Sequence, residues 1–228
     1  MKNLIYYSFI VVVLSSCKTE SSVEVDTKNI YQAYYLSYDK TENTTTVAAE
    51  FRDGGPMGND LVLDSPSQIT VNGDVITHQN IGYLLSYHYY KYYSGEVADA
   101  EFVFTDKFGK TFTNNINLYS LNPVDIPSGI ITISKSNDFV LTWEGEPLEA
   151  AEDISLTILR GEEMVSKSLS QPGATTFTVP KDDLVVFTTG SASIKLEISR
   201  MDNIQESTGK GGDIKIRYFV TKDITIEE

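Results

Sequence analysis

This chain of 228 residues holds one cysteine, Cys17, one tryptophan, Trp143, and two histidines, His78 and His88. A lone thiol excludes any disulfide within the chain, so the folded body depends on core packing. The same scarcity removes thiolate metal sites and most Cys–His chemistry. The sequence has no H-E-x-x-H, no paired C-x-x-C, no glycine-rich phosphate loop and no G-x-S-x-G elbow. No catalytic residue is therefore expected. Basic residues are also few, 18 Lys and Arg against 32 Asp and Glu, for a net charge of −14. Such a surface repels nucleic acid and anionic headgroups, which excludes nucleic acid as an expected partner. It leaves neutral glycans, cations and other proteins open. A spanning helix needs about 20 apolar residues, and the apolar run from Leu4 to Leu14, interrupted by Tyr6, Tyr7 and Ser8, is about half of that.

That run is informative for what surrounds it. Lys2 precedes it and Leu14-Ser15-Ser16-Cys17 ends it, the order of charge, apolar stretch and small residues found in export signals. The four residues resemble the lipobox of bacterial lipoproteins. The resemblance implies that residues 1–16 are a cleaved signal peptide and that Cys17 is acylated. It also implies a body held in the bacterial cell envelope by lipid, where two or more acyl chains give a stable anchor. Lys18 stands where an aspartate would signal retention at the inner membrane, so the outer membrane is the expected address. Residues 17–28 are polar and without periodicity, and read as a flexible tether.

From Ile30 onward short alternating runs recur between turn residues, the pattern of antiparallel β structure. The expected fold is all-β, two tandem antiparallel β-sandwiches. Eight runs between Tyr31 and Leu118 form the first, over residues 29–121. Asn72-Gly73 lies between two of them, where a primed hairpin turn needs positive φ. Pro123, Pro127 and Gly129 interrupt the pattern, and residues 122–129 read as a short, stiff linker. Seven further runs fill residues 130–228. Phe139, Leu141 and Trp143 share one face there, and Ile194, Leu196 and Ile198 alternate with Lys195, Glu197 and Ser199. Seven strands with one tryptophan on an early strand resemble a fibronectin type III or immunoglobulin-like sandwich. In layout the whole resembles the tandem-sandwich surface lipoproteins that accompany glycan-uptake systems.

Two segments stand out as candidate sites. The loop from Asp53 to Asp60 holds three glycines and a proline. Asp53, Asn59 and Asp60 offer the hard oxygen ligands that calcium prefers, and the alternative reading is a plain connecting loop. No other cofactor is expected. Tyrosine is the stronger anomaly: of 14, all but Tyr6, Tyr7 and Tyr218 fall between Thr27 and Ser120. In the run from Tyr83 to Tyr93, strand alternation turns Tyr83, Leu85, Tyr87 and Tyr89 inward, and Ser86, His88, Tyr90 and Tyr92 outward. Outward rings with polar tips stack on sugars or anchor a protein, while tyrosine also suits any half-buried strand. His88, Tyr90 and Tyr92 are the candidate ligand-binding residues. The expected function is binding of a glycan or protein ligand without catalysis, the alternative being a structural or assembly component of an outer-membrane complex.

Overall fold

The computed structural model describes residues 19–79 and 88–228. Cys17, Tyr83, Leu85, Ser86 and Tyr87 lie outside the described residues. The described chain is nearly all strand. Its first half runs β1 (Glu20–Ser21), β2 (Ile30–Asp39), β3 (Thr44–Asp53), β4 (Asn59–Val62), β5 (Gln68–Val71), β6 (Asp74–Ile76), β7 (Tyr89–Ser94), β8 (Asp99–Thr105) and β9 (Thr111–Asn117). The second half runs β10 (Thr132–Ser134), β11 (Phe139–Thr142), β12 (Glu152–Arg160), β13 (Glu163–Leu169) and β14 (Thr176–Val179), then the single helical turn α1 (Lys181–Leu184), β15 (Gly190–Asn203) and β16 (Gly212–Glu227).

Local chemistry sets these elements. Val, Ile, Thr, Tyr and Phe at alternate positions give the longer strands one apolar face. Asn72 and Gly73 both take positive φ, 51° and 83°, the primed turn that fits strand twist and pins Val71 opposite Asp74.

One large sheet has the order β1-β4-β3-β2-β16-β15-β12-β13, with β7 added on β3 and β10 on β16. Two smaller sheets, β6-β5-β8-β9 and β11-β14, pack into the same apolar core on one side of it. In the first half Tyr34 meets Phe102 at 4.9 Å and Phe51 meets Phe104 at 4.8 Å between ring centres. In the second, Leu141, Phe177 and Val179 from the small sheet and Ile194, Leu196 and Ile198 from β15 are all buried.

Most pairs are antiparallel, but three are parallel, and one of these joins the halves. β2 and β16 run side by side from Gln32 opposite Gly212 to Asp39 opposite Phe219. The residue 122–129 segment separates the two sets of strands in sequence, and this ladder joins them in space. The segment itself is held on several sides. Val124 and Ile126 are buried, Asp125 and Glu144 exchange backbone bonds of 2.7 and 3.0 Å, and the Lys222 ammonium donates to the carbonyls of Pro127 and Ser128. Residues of the supposed tether also take part in the fold. β1 pairs in parallel with β4, and Asp26 caps a 3₁₀ turn over Thr27–Asn29. A strand of two residues is too short to leave a periodic pattern in the sequence.

Candidate functional site

The face of the large sheet turned away from the core carries the candidate site. On β2 it presents Tyr31, Ala33, Tyr35 and Ser37, on β3 Arg52, Glu50, Ala48 and Thr46, and on β7 Tyr90 and Tyr92. Register sets these in rows: Tyr35–Ala48–Tyr90, Ser37–Thr46–Tyr92, and Tyr31–Arg52–Asp60. Neighbouring strands lie about 4.8 Å apart, so Tyr35 and Tyr90 stand on either side of Ala48 with their backbones roughly 9–10 Å apart. Tyr90 and Tyr92 meet edge to face at 5.2 Å, and Tyr92 is 61% exposed.

A polar cluster borders these rings. Arg52 pairs with Glu50 and, at 3.3 Å, with Asp60. Asp60 in turn lies 3.3 Å from His88 Nε2. The Tyr35 hydroxyl donates to Glu50 at 3.5 Å, and the Tyr31 hydroxyl donates to Asp213 across the β2–β16 junction. Burial pushes the Glu50 carboxyl up, against the pull of the Arg52 guanidinium. Burial and the Asp213 contact likewise hold the Tyr31 phenol well above its ordinary range.

His88 also stacks on His78, ring centres 5.2 Å apart at 13°. His78 leads to a small cavity of about 190 Å³ whose walls include Ser67, Ile69, Ile76 and Tyr89. Ser67 Oγ and His78 Nε2 are buried there without hydrogen-bond partners among the described residues. Burial, then the charge of His88, lowers the His78 pKa. Tyr89 points inward as expected, its hydroxyl accepting from the Leu63 amide at 2.6 Å, and burial pushes its phenol up to about 12.

The structure thus brings His88, Tyr90 and Tyr92 to one face, and Asp60 joins them there. It does not assemble the calcium set. Asp53 and Asn59 are cross-strand partners, as are Arg52 and Asp60, so alternation turns Asp60 to the opposite face from the other two. Asn59 donates its side-chain amide to Glu20, and Asp60 is taken up by Arg52 and His88. The loop between them closes on itself: Gly58 donates to the Gly55 carbonyl, and a side chain at Gly58 would meet Asp53 O at 1.7 Å. Among the described residues no group of three or more His, Cys, Asp or Glu is placed to hold a metal ion. Tyr31, Tyr35, Glu50 and Arg52 were missed. The spacing of 31, 33, 35 and 37 marks a shared face in the sequence, but nothing there names β7 as the neighbour of β3.

No protein-family model and no curated protein sequence matches the chain. Among solved structures, a tetra-tandem repeat from the extending region of a large adhesion protein is similar over 86% of this chain and 49% of its own, at 12% identity and a TM-score of 0.28. The chain therefore spans about half of that fragment. The FN1–FN3 domains of chicken CNTN1 are similar over 86% of this chain and 67% of theirs, at 10% identity and a TM-score of 0.27.

Proposed function

We propose that this chain is a non-catalytic binding protein of the bacterial envelope, lipid-anchored through Cys17 at the outer membrane, that holds a glycan or protein ligand on the outer face of its large sheet, where Tyr92 is exposed. The observation that carries the binding reading is the row His88, Tyr90 and Tyr92, which stands out from that face beside Tyr35 and the Arg52–Glu50–Asp60 cluster. Ring faces give apolar stacking, while hydroxyls, guanidinium and carboxylates supply directional bonds of the kind a sugar or a polar protein surface needs.

Soluble polysaccharides tested against the acyl-free body check the glycan form. Each ring is worth about 0.5–1.5 kcal/mol, so Tyr90→Ala with Tyr92→Ala should weaken glycan binding on the order of tenfold or more while the fold stays intact. Unchanged affinity in the double variant would remove this face from the reading. The alternative, a component of an outer-membrane assembly, draws on the continuation of the same face across the β2–β16 junction, where Lys195 lies 4.0 Å over the Phe219 ring. Crosslinking in cells that yields one dominant envelope protein, indifferent to added glycan, would favour it.

A further inference from the structure

Two observations converge at one end of the first sandwich. The first is where the chain enters. β1 starts at Glu20, and Glu20 lies opposite Leu61 in a parallel pair. Read backward from Ser21 to Glu20, the strand therefore heads for the Asn59 end of β4, beside the Gly54–Gly58 loop. Cys17 precedes Glu20 by three peptide steps, which can span at most about 10 Å. The second is what that end displays. Met57, at the tip of this loop, is 94% exposed, and Phe108, in the β8–β9 turn, is 79% exposed. Among the described residues they are the two most exposed large apolar side chains. They belong to the same end: Gly54 donates to the Asn29 carbonyl at 2.8 Å, and the Lys107 ammonium donates to the carbonyls of Val23 and Val25 at 3.0 and 2.8 Å. Val23 is itself 38% exposed.

We infer that this end is a membrane-contacting surface, with Met57 and Phe108 seated in the interfacial layer of the bilayer that holds the acyl chains of Cys17. The inference rests on the lipid reading of Cys17. A tether of about 10 Å leaves no room for a detached body, so the face that carries the entry point must lie against the lipid. Water-facing tips are normally polar; here two of those at this end are apolar, as interfacial contacts are. The β12–β13 turn at Glu162 is the opposite end. Leu159 aligns through Ser193 with Asp223, and from Gly212 to Asp223 β16 climbs roughly 35 Å at about 3.3 Å per residue.

The test uses the full-length acylated protein in phosphatidylcholine–phosphatidylethanolamine vesicles. Acylation consumes the Cys17 thiol, so Met57→Cys, Phe108→Cys and Glu162→Cys each supply a single site for a polarity-sensitive dye. The dye at positions 57 and 108 should shift to the blue and be quenched by brominated lipid, and the dye at 162 should do neither. Equal exposure to water at all three sites, on protein whose mass shows the acyl chains, overturns the inference and leaves the lipid anchor intact. Wild-type protein without acyl mass on Cys17 overturns both.

Discussion

At the scale of single residues, His78 is the most telling group. Its ring is stacked on His88, its Nε2 is buried without a partner among the described residues, and burial lowers its pKa from the ordinary 6.5. Asp60 and Asp64 oppose that shift without cancelling it. Below pH 6.5 the unfolded chain binds this proton more readily than the folded one, so stability falls as the pH drops from there towards the lower folded value. Thermal melts between pH 7.5 and 5.5 should show that loss, and His78→Gln should reduce it; an equal slope in the variant would assign the acid sensitivity elsewhere. His78 was legible in the sequence only as one of two histidines. Its partner His88 was placed on the right face by alternation, because a period of two needs nothing beyond local order. The stacking was not legible, since it depends on a bridge between His78 and Tyr89 that no spacing announces.

At the scale of elements, alternation located the strands well. The turn expected at Asn72-Gly73 joins β5 to β6, Phe139 and Leu141 lie on β11, and Ile194, Leu196 and Ile198 are buried on β15 as their alternation implies. Partner choice was another matter. β2 and β16 are far apart in sequence, and an alternating pattern shows which face a strand buries without showing which strand lies beside it. The junction has its own signature once seen. Gly212 opens the ladder, and a Cβ there would stand 2.0 Å from Gln32 O and 2.7 Å from Ile204. Gly212→Ala should therefore destabilise the protein by about 1–3 kcal/mol. Gly129→Ala, where nothing lies within 4 Å, should change stability by less than about 0.5 kcal/mol. Denaturant midpoints for the two variants check this, and an equal effect would argue against the close approach. The free edges are managed in similar detail. Gln205 and Glu206 from the β15–β16 loop bond the backbone and Asn114 along β9, which covers that edge with side chains from the other half. On β13, Lys167 lies opposite the buried Leu156 and pairs with Asp183 at 2.6 Å, an inward charge of the kind that discourages a further strand.

For the whole molecule, the shared sheet makes a statement about cooperativity. Residues 29–121 and 130–228 have separate covering sheets, but β16 supplies edges to both, and the β9 edge is closed by the second half. Unfolding either half strips hydrogen bonds and apolar contacts from the other. Trp143, the one tryptophan, reports on the second half, and the tyrosines report chiefly on the first. Tryptophan fluorescence and tyrosine near-ultraviolet dichroism should therefore follow one coincident denaturation curve. Two resolved transitions would make the halves independent folding units. The parallel sense of the β2–β16 ladder has a mechanical consequence as well. β2 starts at the end where the chain enters, and β16 finishes at the other. A pull between those two points runs along both strands, loading their hydrogen bonds together in shear. The ladder is not opened one bond at a time, as a zipper would be. The strand pair that unites the fold is thus aligned with the direction in which tension between the entry point and the far end would act.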